Sequence, residues 1–94
     1  MSYVVVRLTV EDLEKWKAGF QQAASLHKGY GSKGVRAFIN ADNPKEVLVL
    51  GEYEDPAKAR EMFQSQEFRE ATKRAGVVGT PSVVHLDEAL TLPA

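Results

Sequence analysis

The run Val47-Leu48-Val49-Leu50-Gly51-Glu52-Tyr53-Glu54-Asp55-Pro56 contains the transition that decides how this chain folds. Its first part is a short apolar stretch rich in valine and leucine, which reads as a strand from Val47 to Glu54. Asp55 then offers a side-chain oxygen to the free N–H groups of a helix start, and Pro56 suits the first helical turn. The helix begun there turns Ala59, Met62 and Phe63 inward. Ser65 caps a second segment whose inner face is Phe68, Ala71, Thr72 and Ala75, and Gly76 and Gly79 break it.

Upstream, Lys33 to Asn40 reads as a strand that Asp42-Asn43-Pro44 turns back on the third one, so residues 33–54 form a hairpin. Tyr3 to Val10, rich in valine, is the first strand. Thr9, three residues before Asp12, makes a weak capping-box pattern. Leu13, Trp16, Phe20 and Ala23 then recur at helical spacing as one apolar stripe. Gly29, Gly31 and Gly34 end that helix. Downstream, Pro81 to Leu86 is a last strand at a sheet edge, and Leu90 to Ala94 a frayed end.

The order β-α-β-β-α-β predicts an α+β, ferredoxin-like unit over residues 1–94: a four-stranded antiparallel sheet with both helices on one face. Alternation puts Val4, Val6 and Leu8 on one face of the first strand and Tyr3, Val5, Arg7 and Thr9 on the other. In the third strand Val47, Val49 and Gly51 oppose Leu48, Leu50 and Glu52. Neither face is polar throughout, yet helices cover only one. A second copy of the chain is the expected cover, so a homodimer is predicted.

Composition narrows the function classes. The chain has 94 residues, a net charge of −1 from 12 basic and 13 acidic residues, and no cysteine. That balance gives no electrostatic reason to expect nucleic acid or a membrane surface as partner. The absence of cysteine removes thiolate chemistry and zinc–thiolate sites. No apolar run approaches the ~20 residues that span a bilayer, and the start lacks a signal-peptide pattern, so a cytoplasmic protein is expected.

The stretch Val47 to Asp55, followed by Phe63-Gln64-Ser65-Gln66-Glu67-Phe68-Arg69-Glu70-Ala71, resembles the dimeric α/β-barrel superfamily, in particular the antibiotic-biosynthesis-monooxygenase-like proteins. The resemblance covers nearly the whole chain, as a pattern more than as a strict motif. It implies two sheets packed face to face in a dimer, and a cavity in each subunit between its own sheet and helices. Members of that group include haem-degrading monooxygenases, cofactor-free quinone-forming monooxygenases and isomerases. The haem-degrading branch would need an asparagine where this chain has Val6, a tryptophan at Gly51 and an iron-ligating histidine at Thr72. None is present, which disfavours that branch. The resemblance to the cofactor-free members implies a protein that works without metal or organic cofactor.

The resemblance implies that Val6, Gly51 and Thr72 face the cavity with Trp16, Phe20, Phe63 and Phe68. The expected ligand is a small apolar or aromatic molecule, bound around Trp16, Phe20, Gly51, Phe63, Phe68 and Thr72. The same aromatics at helical spacing also suit a plain hydrophobic core. His85 and Arg36 are the candidate catalytic groups, the first as a base and the second as a clamp for a carboxylate or enolate oxygen. Alternation opposes His85 to Val84 and Leu86, without saying which face that is. Arg7 and Arg36 also suit ion pairs with Glu52 or Glu54.

His27, near a helix C-terminus, reads as a cation favoured by the dipole. The Gly29-Tyr30-Gly31-Ser32-Lys33-Gly34 loop follows a helix, where a phosphate loop would precede one. It reads as a helix stop and a mobile lid carrying Tyr30. No metal-ligand spacing, carboxylate pair or Ser-His-Asp arrangement stands out. The sequence thus suggests either a cofactor-independent monooxygenase or isomerase acting on an aromatic or enolisable compound, or a non-catalytic dimeric binding or structural module.

Overall fold

A computed structural model describes residues 2–93. The elements run β1 (Ser2–Val10), α1 (Leu13–Gln22), α2 (Ala24–Gly29), β2 (Ser32–Asn40), β3 (Asn43–Tyr53), α3 (Pro56–Gln64), α4 (Gln66–Arg74) and β4 (Val77–Leu86). The strands form one antiparallel sheet in the order β2-β3-β1-β4, with the helices on one face. This is the expected α+β, ferredoxin-like arrangement.

Strand alternation works as read. Val4 pairs with Gly51, Val6 with Val49 and Leu8 with Val47, and these residues are buried beneath the helices. Tyr53, Met62, Val4, Val10 and Val47 are the largest side chains sealed completely in the core.

Helix boundaries follow capping chemistry. The side chain of Asp55 accepts from the Ala57 N–H at 2.9 Å, with Pro56 in the first turn. Ser65 divides α3 from α4: its Oγ accepts from Phe68 N–H at 3.1 Å and donates to the Met62 carbonyl at 2.6 Å. One hydroxyl thus ties the end of one helix to the start of the next.

Several boundaries differ from the sequence reading. The cap of α1 is Asp12, which accepts from Lys15 N–H, and not Thr9, which belongs to β1. The first helix also divides, at Ala23. The β2–β3 turn sits one residue earlier than expected, over Ala41 and Asp42. The Asn40 side chain closes it by accepting from Asp42 N–H at 2.8 Å.

β4 begins at Val77 instead of Pro81. Gly79 lies inside it with φ +72°, where the pairing with β1 jumps from Arg7–Ser82 to Thr9–Val78. That glycine makes a bulge that accommodates the extra residues, and it does not end the preceding helix. Beyond Leu86, residues 87–93 carry no helix or strand, and Leu90 and Leu92 are exposed. Among the described residues no helix is long and apolar enough to cross a membrane.

Candidate functional site

Between the helices and the sheet lies a narrow, partly open cavity of about 50 Å³. Its floor is Val6, Leu8 and Val49. One wall is the α1–α2 stripe of Trp16, Phe20 and His27, and the opposite wall is Phe63 from α3 with Phe68 and Thr72 from α4. The aromatic rings hold one another. Trp16 stacks on Phe20 at 4.8 Å between centroids, Phe20 meets the edge of His27 at 5.5 Å, and Phe63 meets the edge of Phe68 at 4.9 Å.

Five of the six expected ligand-binding residues therefore share one cavity: Trp16, Phe20, Phe63, Phe68 and Thr72. Gly51 does not line it. A Cβ at Gly51 would stand 2.8 Å from the Tyr53 ring, so Tyr53 already fills the space that the missing side chain leaves. Thr72 is present but committed, because its hydroxyl donates to the Arg69 carbonyl at 2.8 Å.

The two candidate catalytic residues part company. Arg36 pairs across from Leu50, on the face of the sheet away from the helices, and its guanidinium sits 5.1 Å from the Phe38 ring centroid. It does not reach the cavity, because strand alternation commits it to the outer face. Arg7 shares that face and bonds Glu46 at 2.9 Å, in place of the expected Glu52 or Glu54. Glu54 pairs instead with Lys33, at 2.9 Å.

His85 is on the helix side, opposite Val4. It does not line the cavity itself, but its ring lies 6.0 Å from Phe63, which does. Its Nδ1 is buried and has no hydrogen-bond partner. Burial first, and then the Arg60 charge, lowers its pKa from the ordinary 6.5. His85 is thus a neutral imidazole at neutral pH.

One residue that the sequence reading did not place at a site lines this one, and a second supports it from behind. His27 is buried, and its Nδ1 lies 3.3 Å from the hydroxyl of Tyr53. Desolvation lowers the His27 pKa, so the expected dipole-stabilised cation is replaced by a neutral ring. Burial pushes the Tyr53 phenol up to about 12. The stripe Trp16, Phe20, Ala23 extends by one more helical step to residue 27, and that spacing was the available signal.

His27 and Phe20 also border an open recess of about 430 Å³ between α1–α2 and the start of β2, rimmed by Lys28, Lys33 and Val35. The hydroxyl of Tyr30, the residue expected on a lid, donates to Glu67 of α4 at 3.1 Å. Among the described residues no group of three or more His, Asp or Glu side chains gathers to hold a metal ion.

No protein-family model matches the chain. No curated protein matches it in sequence. Solved structures do match its fold. A Bordetella bronchiseptica protein provisionally named an antibiotic biosynthesis monooxygenase superposes with a TM-score of 0.78 at 21% identity, over 95% of this chain and 97% of its own. SnoaB, a cofactor-independent oxygenase from Streptomyces nogalater, gives 0.78 at 16% identity, over 99% and 97%. A Caulobacter crescentus protein, also provisionally named an antibiotic biosynthesis monooxygenase, gives 0.73 at 18% identity, over 95% and 90%. The fold is that of the antibiotic-biosynthesis-monooxygenase-like proteins.

Proposed function

We propose that this chain binds a small aromatic or enolisable compound between its helices and its sheet, and acts on it as a cofactor-independent monooxygenase or isomerase. The observation that carries the reading is the buried, unpartnered Nδ1 of His85 on the aromatic-lined side of the sheet. A buried polar atom without a partner costs about 1–3 kcal/mol, which a donating hydroxyl of a bound ligand would recover. A neutral imidazole there can accept a proton from an enolisable C–H or a phenolic O–H. The electron-rich anion left behind either reacts with dioxygen or is reprotonated elsewhere, giving oxygenation or isomerisation. SnoaB, on the same fold, is a cofactor-independent oxygenase.

A ring-sized ligand needs more room than the present cavity of about 50 Å³. Pockets for drug-sized ligands run to about 300–1,000 Å³. The element whose displacement uncovers least is α4, which has no fully buried side chain. Outward movement of α4 with Phe68 would join the cavity to the space beside Phe63 and His85.

The same reading includes a homodimer. The sheet face away from the helices exposes Phe38, Val84 and Leu86 beside Val5 and Leu50, and a second copy suits it chemically. A cytoplasmic location belongs to the same proposal.

The test is a panel of polycyclic phenols and enolisable aromatic ketones, followed by oxygen uptake and by solvent deuterium exchange. Turnover by the wild type that falls roughly a hundredfold or more in a folded His85→Ala variant supports the reading. Equal turnover by the variant removes His85 from it. The small cavity specifically favours one rival, a non-catalytic binding or structural module. Under that reading His85→Ala changes stability alone and no compound turns over.

A further inference from the structure

We propose that His27, oriented by the Tyr53 hydroxyl, presents its Nε2–H to a carbonyl or phenolic oxygen of a ring-bearing ligand, at the junction of the cavity and the α1–α2 recess.

The argument begins with the Tyr53 hydroxyl. Tyr53 is 1% exposed, and His27 Nδ1, 3.3 Å away, is the hydroxyl's one hydrogen-bond partner among the described residues. A buried O–H requires an acceptor, so Tyr53 donates and Nδ1 accepts. A neutral imidazole that accepts at Nδ1 carries its proton on Nε2. The reverse arrangement would leave the Tyr53 hydrogen without an acceptor. The pairing and the desolvation of the ring thus favour the same neutral state.

Nε2 has no partner among the described residues, and it is not among the buried polar atoms that are sealed off unpaired. His27 lines both the cavity and the recess, in each case beside Phe20. The site therefore combines an apolar, aromatic interior with one uncommitted neutral donor, and a rim on which Lys28 stands beside Lys33, the latter paired with Glu54. That combination selects a flat ring bearing an accepting oxygen. Tyr53 acts as a positioning residue that sets the tautomer, and His27 is the group that would touch the ligand.

This inference rests on the ligand-binding reading above, and the experiment separates the two. Two-bond proton–nitrogen correlation spectra of the full chain at neutral pH report which ring nitrogen of His27 is protonated. The expected result is protonated Nε2 in the wild type, with the preference weakened in Tyr53→Phe. Titration with 1-tetralone, an enolisable aromatic ketone, should move the His27 Nε2 resonance. Tetralin, the hydrocarbon without the oxygen, should bind about fivefold more weakly and leave that resonance in place. In His27→Phe the preference should disappear. A wild type protonated at Nδ1 overturns the inference without any variant having to fold. Equal binding of both probes with His27 unmoved overturns it while leaving the ligand site standing. Failure of both probes to bind removes the ligand site and this inference together.

Discussion

The ring of Tyr53 lies directly over Gly51: a Cβ at residue 51 would stand 2.8 Å from Tyr53 Cε2 and 3.4 Å from its hydroxyl oxygen. The ring is at the far end of its side chain, but it is enclosed. His27 bonds its hydroxyl, and Phe63 meets its edge at 6.1 Å between centroids. Gly51→Ala must therefore displace a held group, and overpacking of this kind costs typically about 1–3 kcal/mol. Urea unfolding should show a lower midpoint with an unchanged slope. Adding Tyr53→Leu should relieve most of the strain from the new methyl group, and a Gly51→Ala protein as stable as wild type would show that the ring moves freely.

Ser65→Ala removes the hydroxyl that joins α3 to α4. Loss of an N-cap typically costs about 1 kcal/mol. Because the same oxygen bonds both Phe68 N–H and the Met62 carbonyl, the effect should concentrate on α4. Amide hydrogen exchange should speed up across Gln66–Arg74 more than across β1 or β3. Uniform acceleration through the whole protein would show that the joint is not local.

Two neutral histidines predict how stability depends on pH. His27 and His85 both have folded pKa values lowered from the ordinary 6.5. Below that value the unfolded chain binds protons that the folded one does not, so stability rises with pH across the window and is lost as pH falls through it. Urea midpoints should fall between about pH 7.5 and about pH 5.5. Glu46 and Glu54, lowered chiefly by their bonds to Arg7 and Lys33, act with the same sign in a more acidic window. A flat profile between the two higher pH values would contradict the burial of both imidazoles.

On the outer face, Val84 stands opposite Val5 with 47% of its surface exposed. If a second copy covers this face, light scattering should give twice the 10.4 kDa chain mass. Val84→Glu should return the protein to a monomer with its secondary structure intact, since a charge buried without a partner at an interface is costly. A wild type that is monomeric at high concentration would remove the dimer from the proposal.

Most of the fold could be read in the sequence because its signals are local. Alternation in Tyr3–Val10 and Val47–Glu54, the caps at Asp55 and Ser65, and the Trp16–Phe20–Ala23 stripe each depend on residues a few positions apart. The exceptions were also local in origin. Gly79 reads as a helix breaker, whereas a strand bulge uses the same positive φ, and only pairing with β1 distinguishes the two. His27 at the end of a helix resembles a dipole-stabilised cation until the Tyr53 hydroxyl is brought beside it from β3.

By itself the sequence determined the order of elements, the two sets of residues that alternate along each strand, and an aromatic layer over one of them. Which set lies beneath the helices at His85 and Arg36 was decided by register, since pairing with Val4 turns His85 inward and pairing with Leu50 turns Arg36 outward. How much open space the layer keeps was decided by packing, because Tyr53 swings back over Gly51 and closes the gap that the glycine suggested. Both are properties of contacts between distant parts of the chain: a period of two residues labels the faces of a strand, and only its neighbours say which face is inside.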